Sequence, residues 1–289
     1  MKKIVISAIV IVLTTCGLFA QDVRFGMRGG LNMAGMPVAK STPASEDFKM
    51  RMAPAWGIFT ELQVNQTFSL RLGVEYSGMG GKKEGMQAMP TQRIITQVGS
   101  SFGLAGMTEE QMAGMGMLAM SLPHYYYADV ETTVKFDYVT IPILAQFGRD
   151  IGTSPWRVYV NAGPSVSFIL STKQVSKGTS KLFADANGAN TLWGAMPEAV
   201  QFVVAGALPD VVKTLDEPVK FGETNITGEL KSVNLGVTAH TGIRYQYKNN
   251  FFFLEFGGNW GFLTVQEKDT TGSNRIGAAS LTVGYAFSL

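Results

Sequence analysis

Few side chains in this sequence have the type and spacing for chemistry. There are two histidines, one cysteine and fifteen methionines. A hydrolase would need a nucleophile with a base beside it. His240 falls in an alternating segment, a short way above a tight turn and on the polar face. That is the wrong height for attack on a lipid of the outer leaflet. His124 stands beside Tyr125-Tyr126-Tyr127 in a long link and reads as a surface residue. Eight of the fifteen methionines lie between Gly78 and Glu131, with Met112, Met115, Met117 and Met120 closely spaced. Thioethers suit soft copper(I). Against that, Thr108-Glu109-Glu110-Gln111 has the form of a helix capping box. The methionines then belong to a short helix lying on a rim or a partner, where their flexibility makes an adaptable surface. Gly78-Met79-Gly80-Gly81 sits at a strand end and reads as a loop start, not a phosphate cradle. No metal spacing or nucleophile elbow is present. The sequence therefore assigns no catalytic, cofactor-binding or metal-binding residue, and the expectation is a protein that is not an enzyme.

The elements that would position any site begin with a targeting segment. Lys2-Lys3 precede an apolar run from Ile4 to Leu13, and Gly17-Leu18-Phe19-Ala20 offers a cleavage point before Gln21. Residues 1–20 are expected to be a signal peptide, and residues 21–289 the working chain. The apolar run is too short for a spanning helix, and no later stretch is long and apolar enough. Cys16 lies inside this segment, where Leu13-Thr14-Thr15-Cys16-Gly17 loosely resembles a lipoprotein box with a poor residue at Thr15. Beyond it no cysteine remains for a disulfide or thiolate site. Removing Lys2 and Lys3 from 24 basic residues leaves 22, against 22 acidic. That balance gives no reason to expect nucleic acid as a partner.

The rest of the chain alternates with a period of two, in segments matching tilted barrel strands. Eight appear, at about 22–34, 53–64, 67–77, 132–147, 156–172, 230–247, 251–264 and 274–289. In the first, Val23, Phe25, Met27, Leu31 and Met33 oppose Arg24, Arg28 and Asn32. In the seventh, Phe252, Leu254, Phe256 and Trp260 oppose Glu255 and Asn259. The fourth puts Val134, Phe136 and Tyr138 opposite Lys135 and Asp137, and a bulge is expected near Ile141-Pro142. Links alternate in length. Asn65-Gln66, Gly148 to Pro155 and Lys248 to Asn250 are short. Residues 35–52, 78–131, 173–229 and 265–273 are long. Short turns on one side and long loops on the other suit an antiparallel transmembrane barrel.

The fold class is therefore all-β, an eight-stranded antiparallel transmembrane β-barrel with long extracellular loops. A soluble sandwich or lipocalin-like barrel has the same period with its faces exchanged. Arg24, Arg28, Glu61, Arg71, Glu75, Lys135, Asp137, Arg157, Arg244 and Glu255 are expected to line the lumen. Both signs are present, so a plugged, ion-paired interior is expected. Trp56, Tyr76, Trp156, Tyr245, Tyr247, Phe251 and Trp260 suit interfacial girdles. In the link 173–229, Pro197 to Leu208 and Pro209 to Leu215 are apolar stretches. The first could start a helix at Pro197-Glu198 and cap the mouth together with the methionine segment.

Three segments resemble the PorT-like outer-membrane β-barrel family: Gly26-Met27-Arg28-Gly29-Gly30-Leu31-Asn32, Tyr138-Val139-Thr140-Ile141-Pro142-Ile143-Leu144 and Tyr159-Val160-Asn161-Ala162-Gly163-Pro164-Ser165. The glycine-aromatic last strand completes the set. Thr282, Gly284, Phe287 and Leu289 resemble the terminal signal read by outer-membrane insertion machinery, departing from it by ending on Leu289. The resemblance covers the barrel and neither of the two longest loops. It implies an integral outer-membrane protein in contact with the lipid bilayer and the insertion machinery. It also implies a link, through the family's namesake, to secretion-system or surface proteins by way of the long loops. A small barrel enzyme acting on lipid or peptide, or a narrow channel, stands as the alternative.

Overall fold

The structure, a computed structural model, describes residues 23–92, 94–96, 107–267 and 272–288. The expected signal peptide, Cys16 and Leu289 lie outside the described residues.

Eight long strands form the body: β1 (Val23–Gly35), β2 (Arg51–Gln63), β3 (Phe68–Lys83), β4 (Glu131–Asp150), β5 (Trp156–Lys177), β6 (Val233–Tyr247), β7 (Asn250–Gly261) and β8 (Gly277–Ser288). Each pairs antiparallel with its sequence neighbours. β8 then pairs with β1, from Arg24↔Ser288 to Gly35↔Gly277, and closes the ring. Closure leaves the long strands without a free sheet edge, as a backbone surrounded by lipid requires.

Local chemistry fixes the short-turn end. The Asn65 side-chain oxygen accepts from the backbone N–H of Thr67 at 2.9 Å and of Phe68 at 2.8 Å, holding the chain as it reverses into β3. Between β6 and β7 the reversal takes only Lys248 and Asn249, since Tyr247 pairs with Asn250. Lys248 adopts φ 56°, the left-handed conformation that such two-residue hairpins demand.

The alternation read from sequence holds through the middle of the barrel. Met27, Leu31, Ile58, Val160, Leu254 and Val283 point out and are exposed, while Arg24, Arg28, Glu61, Arg71, Arg244 and Glu255 point in and are buried. On β4 the expected faces are exchanged. Val134, Phe136 and Tyr138 are buried inside, Lys135 is exposed outside and Asp137 is half-buried. The reason is height. Lower on the same strand the outward residues are apolar, with Ile143 and Phe147 exposed. Above Val139 the wall stands clear of the apolar band and reverts to the water-facing rule, with charge outside and hydrocarbon inside. A second correction concerns the bulge, which falls at Asp137/Tyr138 where β4 slips against β5, not at Ile141-Pro142. Pro142 instead sits opposite Ser165 in the continuing ladder.

The girdle expectation holds in pairs. Trp56 stacks on its cross-strand partner Tyr76 with ring centres 5.6 Å apart, and Trp156 meets Tyr245 edge-on at 5.0 Å. Phe251 is the exception: it is buried in the lumen.

Candidate functional site

The lumen is filled in three layers. Nearest the short turns lies an ion-pair network on an aromatic floor. Glu61 on β2 receives Arg24 at 2.8 Å, Arg244 at 3.0 Å and Arg71 at 3.2 Å. Glu255 on β7, wholly buried, receives Arg71 at 2.5 Å and Arg28 at 3.0 Å. Arg71 thus bridges the two carboxylates, and Arg28 goes on to Glu75 at 3.0 Å. The Tyr159 hydroxyl and the Asn161 amide also donate to Glu255, at 2.9 and 3.1 Å. A buried carboxylate is tolerated only with such complete partnership.

The arginines lie over rings. Arg71 is 4.3 Å from the Phe59 ring centre, and Phe251 lies between Arg24 at 4.6 Å and Arg244 at 4.9 Å. Room for this many aromatics comes from glycines paired directly across the ladder. Phe59 faces Gly26, Phe253 faces Gly284 and Tyr159 faces Gly242. A Cβ at those glycines would meet the ring at 2.3, 2.1 and 2.5 Å. An aromatic laid over a cross-strand glycine also pins the register of the two strands.

Above this lies a polar layer, with Asn32 donating to Ser77 at 2.9 Å, Thr140 bonded to Ser167 at 2.9 Å, and Asn259 donating to Thr238 at 2.7 Å and Ser165 at 2.8 Å. The third layer is apolar. Met79, Val134, Phe136, Tyr138, Ile226, Val265 and Ile276 form one buried cluster across the upper barrel.

The two longest links fold over the long-loop end. Helix α1 (Glu109–Ser121) starts at the expected box: Thr108 Oγ1 accepts from Gln111 N–H at 3.2 Å, and the Gln111 side chain accepts from Thr108 N–H at 3.0 Å. Helix α2 (Glu198–Ala207) begins where Pro197-Glu198 predict, and the apolar stretch from Pro209, for which the sequence predicts no element, forms helix α3 (Pro209–Asp216). A hairpin of Met86–Pro90 with Tyr125–Asp129 supports them. Leu118, Tyr126, Leu182, Leu192, Val204, Leu208 and Leu215 form a core separate from that of the barrel. Gly114 lets α1 and α2 meet, since a Cβ there would lie 2.8 Å from Ala207 Cβ. Outside this core, Met112, Met117, Met120 and Phe202 are exposed, the last two by 82% and 83%.

His240 is buried, with Nδ1 at 3.0 Å from the Asn161 side-chain oxygen and Nε2 at 3.4 Å from an Arg28 nitrogen. It is built into the network, and its bonds go to an amide and a guanidinium rather than to a nucleophile. His124 is exposed in the cap. Among the described residues no group of three His, Cys, Asp or Glu side chains could hold a metal ion. Sequence reasoning found the lumen charges but not the aromatic floor beneath them. The signal for it was Phe251 and Phe253, which stand in step with Glu255.

A closed meander that is apolar outside and ion-paired within is a membrane-spanning β-barrel. The profile of the outer membrane protein beta-barrel domain family matches residues 19–266, and the chain belongs to that family. The protein is accordingly placed in the outer membrane. The match is to the broad family and does not single out a PorT-like branch. No curated protein matches the chain. Solved structures similar to it include Neisserial surface protein A, at 11% identity over 92% of this chain and 97% of that one, TM-score 0.39. A major outer membrane protein from Thermus thermophilus aligns at 12% identity over 92% and 99%, TM-score 0.39. The attachment invasion locus protein Ail of Yersinia pestis, solved with the heparin analogue sucrose octasulfate, aligns at 7% over 92% and 100%, TM-score 0.33. At these values the likeness extends to no ligand or activity.

Proposed function

We propose that the protein acts as a non-enzymatic outer-membrane barrel, through surface structure and interaction, with the cap as its working surface. The observation that carries this reading is the filled lumen. Ion pairs centred on Arg71, the polar layer and the Phe136–Tyr138 cluster occupy successive heights, while the largest exposed apolar side chains of the cap face water. A barrel spent on packing its own interior is a platform for what it holds outside. The resemblance to PorT-like proteins extends the proposal to an accessory role in protein secretion, with secretion-system or surface proteins meeting the cap. On this reading the chain is exported with residues 1–20 as a removable leader and enters the membrane through its C-terminal strand.

The test is a comparison of proteins released by the parent strain and by a strain lacking the gene. Cargo retained in the deletion strain supports the secretion role. An unchanged set of released proteins removes it.

A further inference from the structure

Beyond Cys16 the chain has no cysteine, so its oxidisable sulfur is methionine thioether alone. The structure sorts these thioethers by their surroundings. Met36, Met79, Met89 and Met196 are buried. Met27, Met33 and Met52 are exposed on the outward wall of β1 and β2, among the residues that face lipid. Met50, just before β2, is exposed but stands by itself.

Helix α1 is different. Met112, Met117 and Met120 are exposed by 51%, 41% and 82%. At 3.6 residues per turn they fall within an arc of about 140°. The cap core takes the other side of the helix, with Leu118 buried and Met115 packed partly against it. No charged residue follows Glu110 before the helix ends at Ser121. Only the small residues Ala113, Gly116 and Ala119 share the exposed face, so the three thioethers set its polarity. An oxygen added to any of them enters water and displaces nothing, whereas one added to Met115 enters the core. The helix start does not depend on them either, since Thr108 and Gln111 hold it.

We infer that Met112, Met117 and Met120 form an oxidation site, at which hydrogen peroxide from outside the cell turns the apolar face of α1 polar while the cap stays folded. A sulfur lone pair attacks one peroxide oxygen, and the O–O bond breaks. The sulfur gives up two electrons and becomes a sulfoxide. The proton on the delivered oxygen passes to the departing one, which leaves as water. Sulfoxide is polar where thioether is apolar, and sulfoxide reductases reverse the change. The consequence for binding rests on the reading of the cap as the working surface: a partner held by the flexible methionines is released.

The test treats the full chain, folded and held in lipid nanodiscs, with hydrogen peroxide. Peptide mass spectrometry should find added oxygen at Met112, Met117 and Met120 before any at Met36, Met79, Met89, Met115 or Met196. Hydrogen exchange in α1 should be unchanged. The oxidised chain should elute earlier from a phenyl-bearing resin, and sulfoxide reductase should restore its retention. The combined variant Met112→Leu, Met117→Leu, Met120→Leu keeps bulk and apolarity without the sulfur. It should elute at the same point before and after peroxide, which also accounts for Met50. Oxygen uptake at Met115 or the buried methionines as fast as at the three would overturn the site. Faster exchange throughout α1 on oxidation, or an equal elution shift in the leucine variant, would overturn the change of face. No partner is present, so failure here is distinct from failure of the secretion comparison.

Discussion

Glu255 carries the heaviest burden of any single residue. Four groups converge on its carboxylate: Arg28, Arg71, Tyr159 and Asn161. Removing it takes one of two carboxylate partners from each of two buried guanidinium groups, Arg71 keeping Glu61 and Arg28 keeping Glu75, so Glu255→Ala should lower stability by about 3 kcal/mol. Urea titration of the folded barrel in detergent micelles measures this. The ring-and-glycine pairs make a sharper prediction. Gly26→Ala places a Cβ 2.3 Å from the Phe59 ring, whose atoms are its three nearest neighbours. That variant should fold poorly, and adding Phe59→Leu should recover most of the loss. If the double variant is no better than Gly26→Ala alone, the ring is not what the glycine accommodates.

At the scale of elements, the upper wall of β4 is where sequence and structure part. Alternation put Lys135 and Asp137 on one face and Val134, Phe136 and Tyr138 on the other, and that division is correct. Which face is inside depends on whether lipid or water lies beyond it, and a period of two is silent on that. Lower on the strand lipid decides; above Val139 water does. Single-cysteine labelling reads the boundary directly, because the chain without residues 1–20 has no cysteine of its own. In vesicles, Lys135→Cys should react with a water-soluble maleimide and Ile143→Cys should not. Equal labelling would mean the wall does not change character between them. The capping box, by contrast, was fully legible, because its four residues are contiguous. Thr108→Ala should destabilise α1 by about 1 kcal/mol, seen as faster hydrogen exchange in that helix with the barrel strands unchanged. The ion pairs were legible only as a set of inward charges. Arg28 and Glu255 are 227 positions apart, and nothing local says that they meet.

As a whole molecule, the protein is a short membrane-spanning barrel whose wall rises past the membrane on the β3–β4–β5 side, closed by an apolar cluster and covered by a folded cap. Each part uses the solvent it meets. Apolar residues face lipid, charges pair in the sealed lumen, and the upper wall turns its charge back to water. The barrel reading followed from strand count, alternation and link lengths, all local features. The cap was legible only as two helix starts, because its core joins Leu118 of one link to Leu182 and Leu215 of another. The central claim is that this interior is packed and does not conduct. Planar-bilayer recording of the purified, heat-modifiable barrel tests it most directly. The account predicts a silent membrane with the parent chain. Reproducible, evenly sized conductance steps from folded parent protein would contradict it.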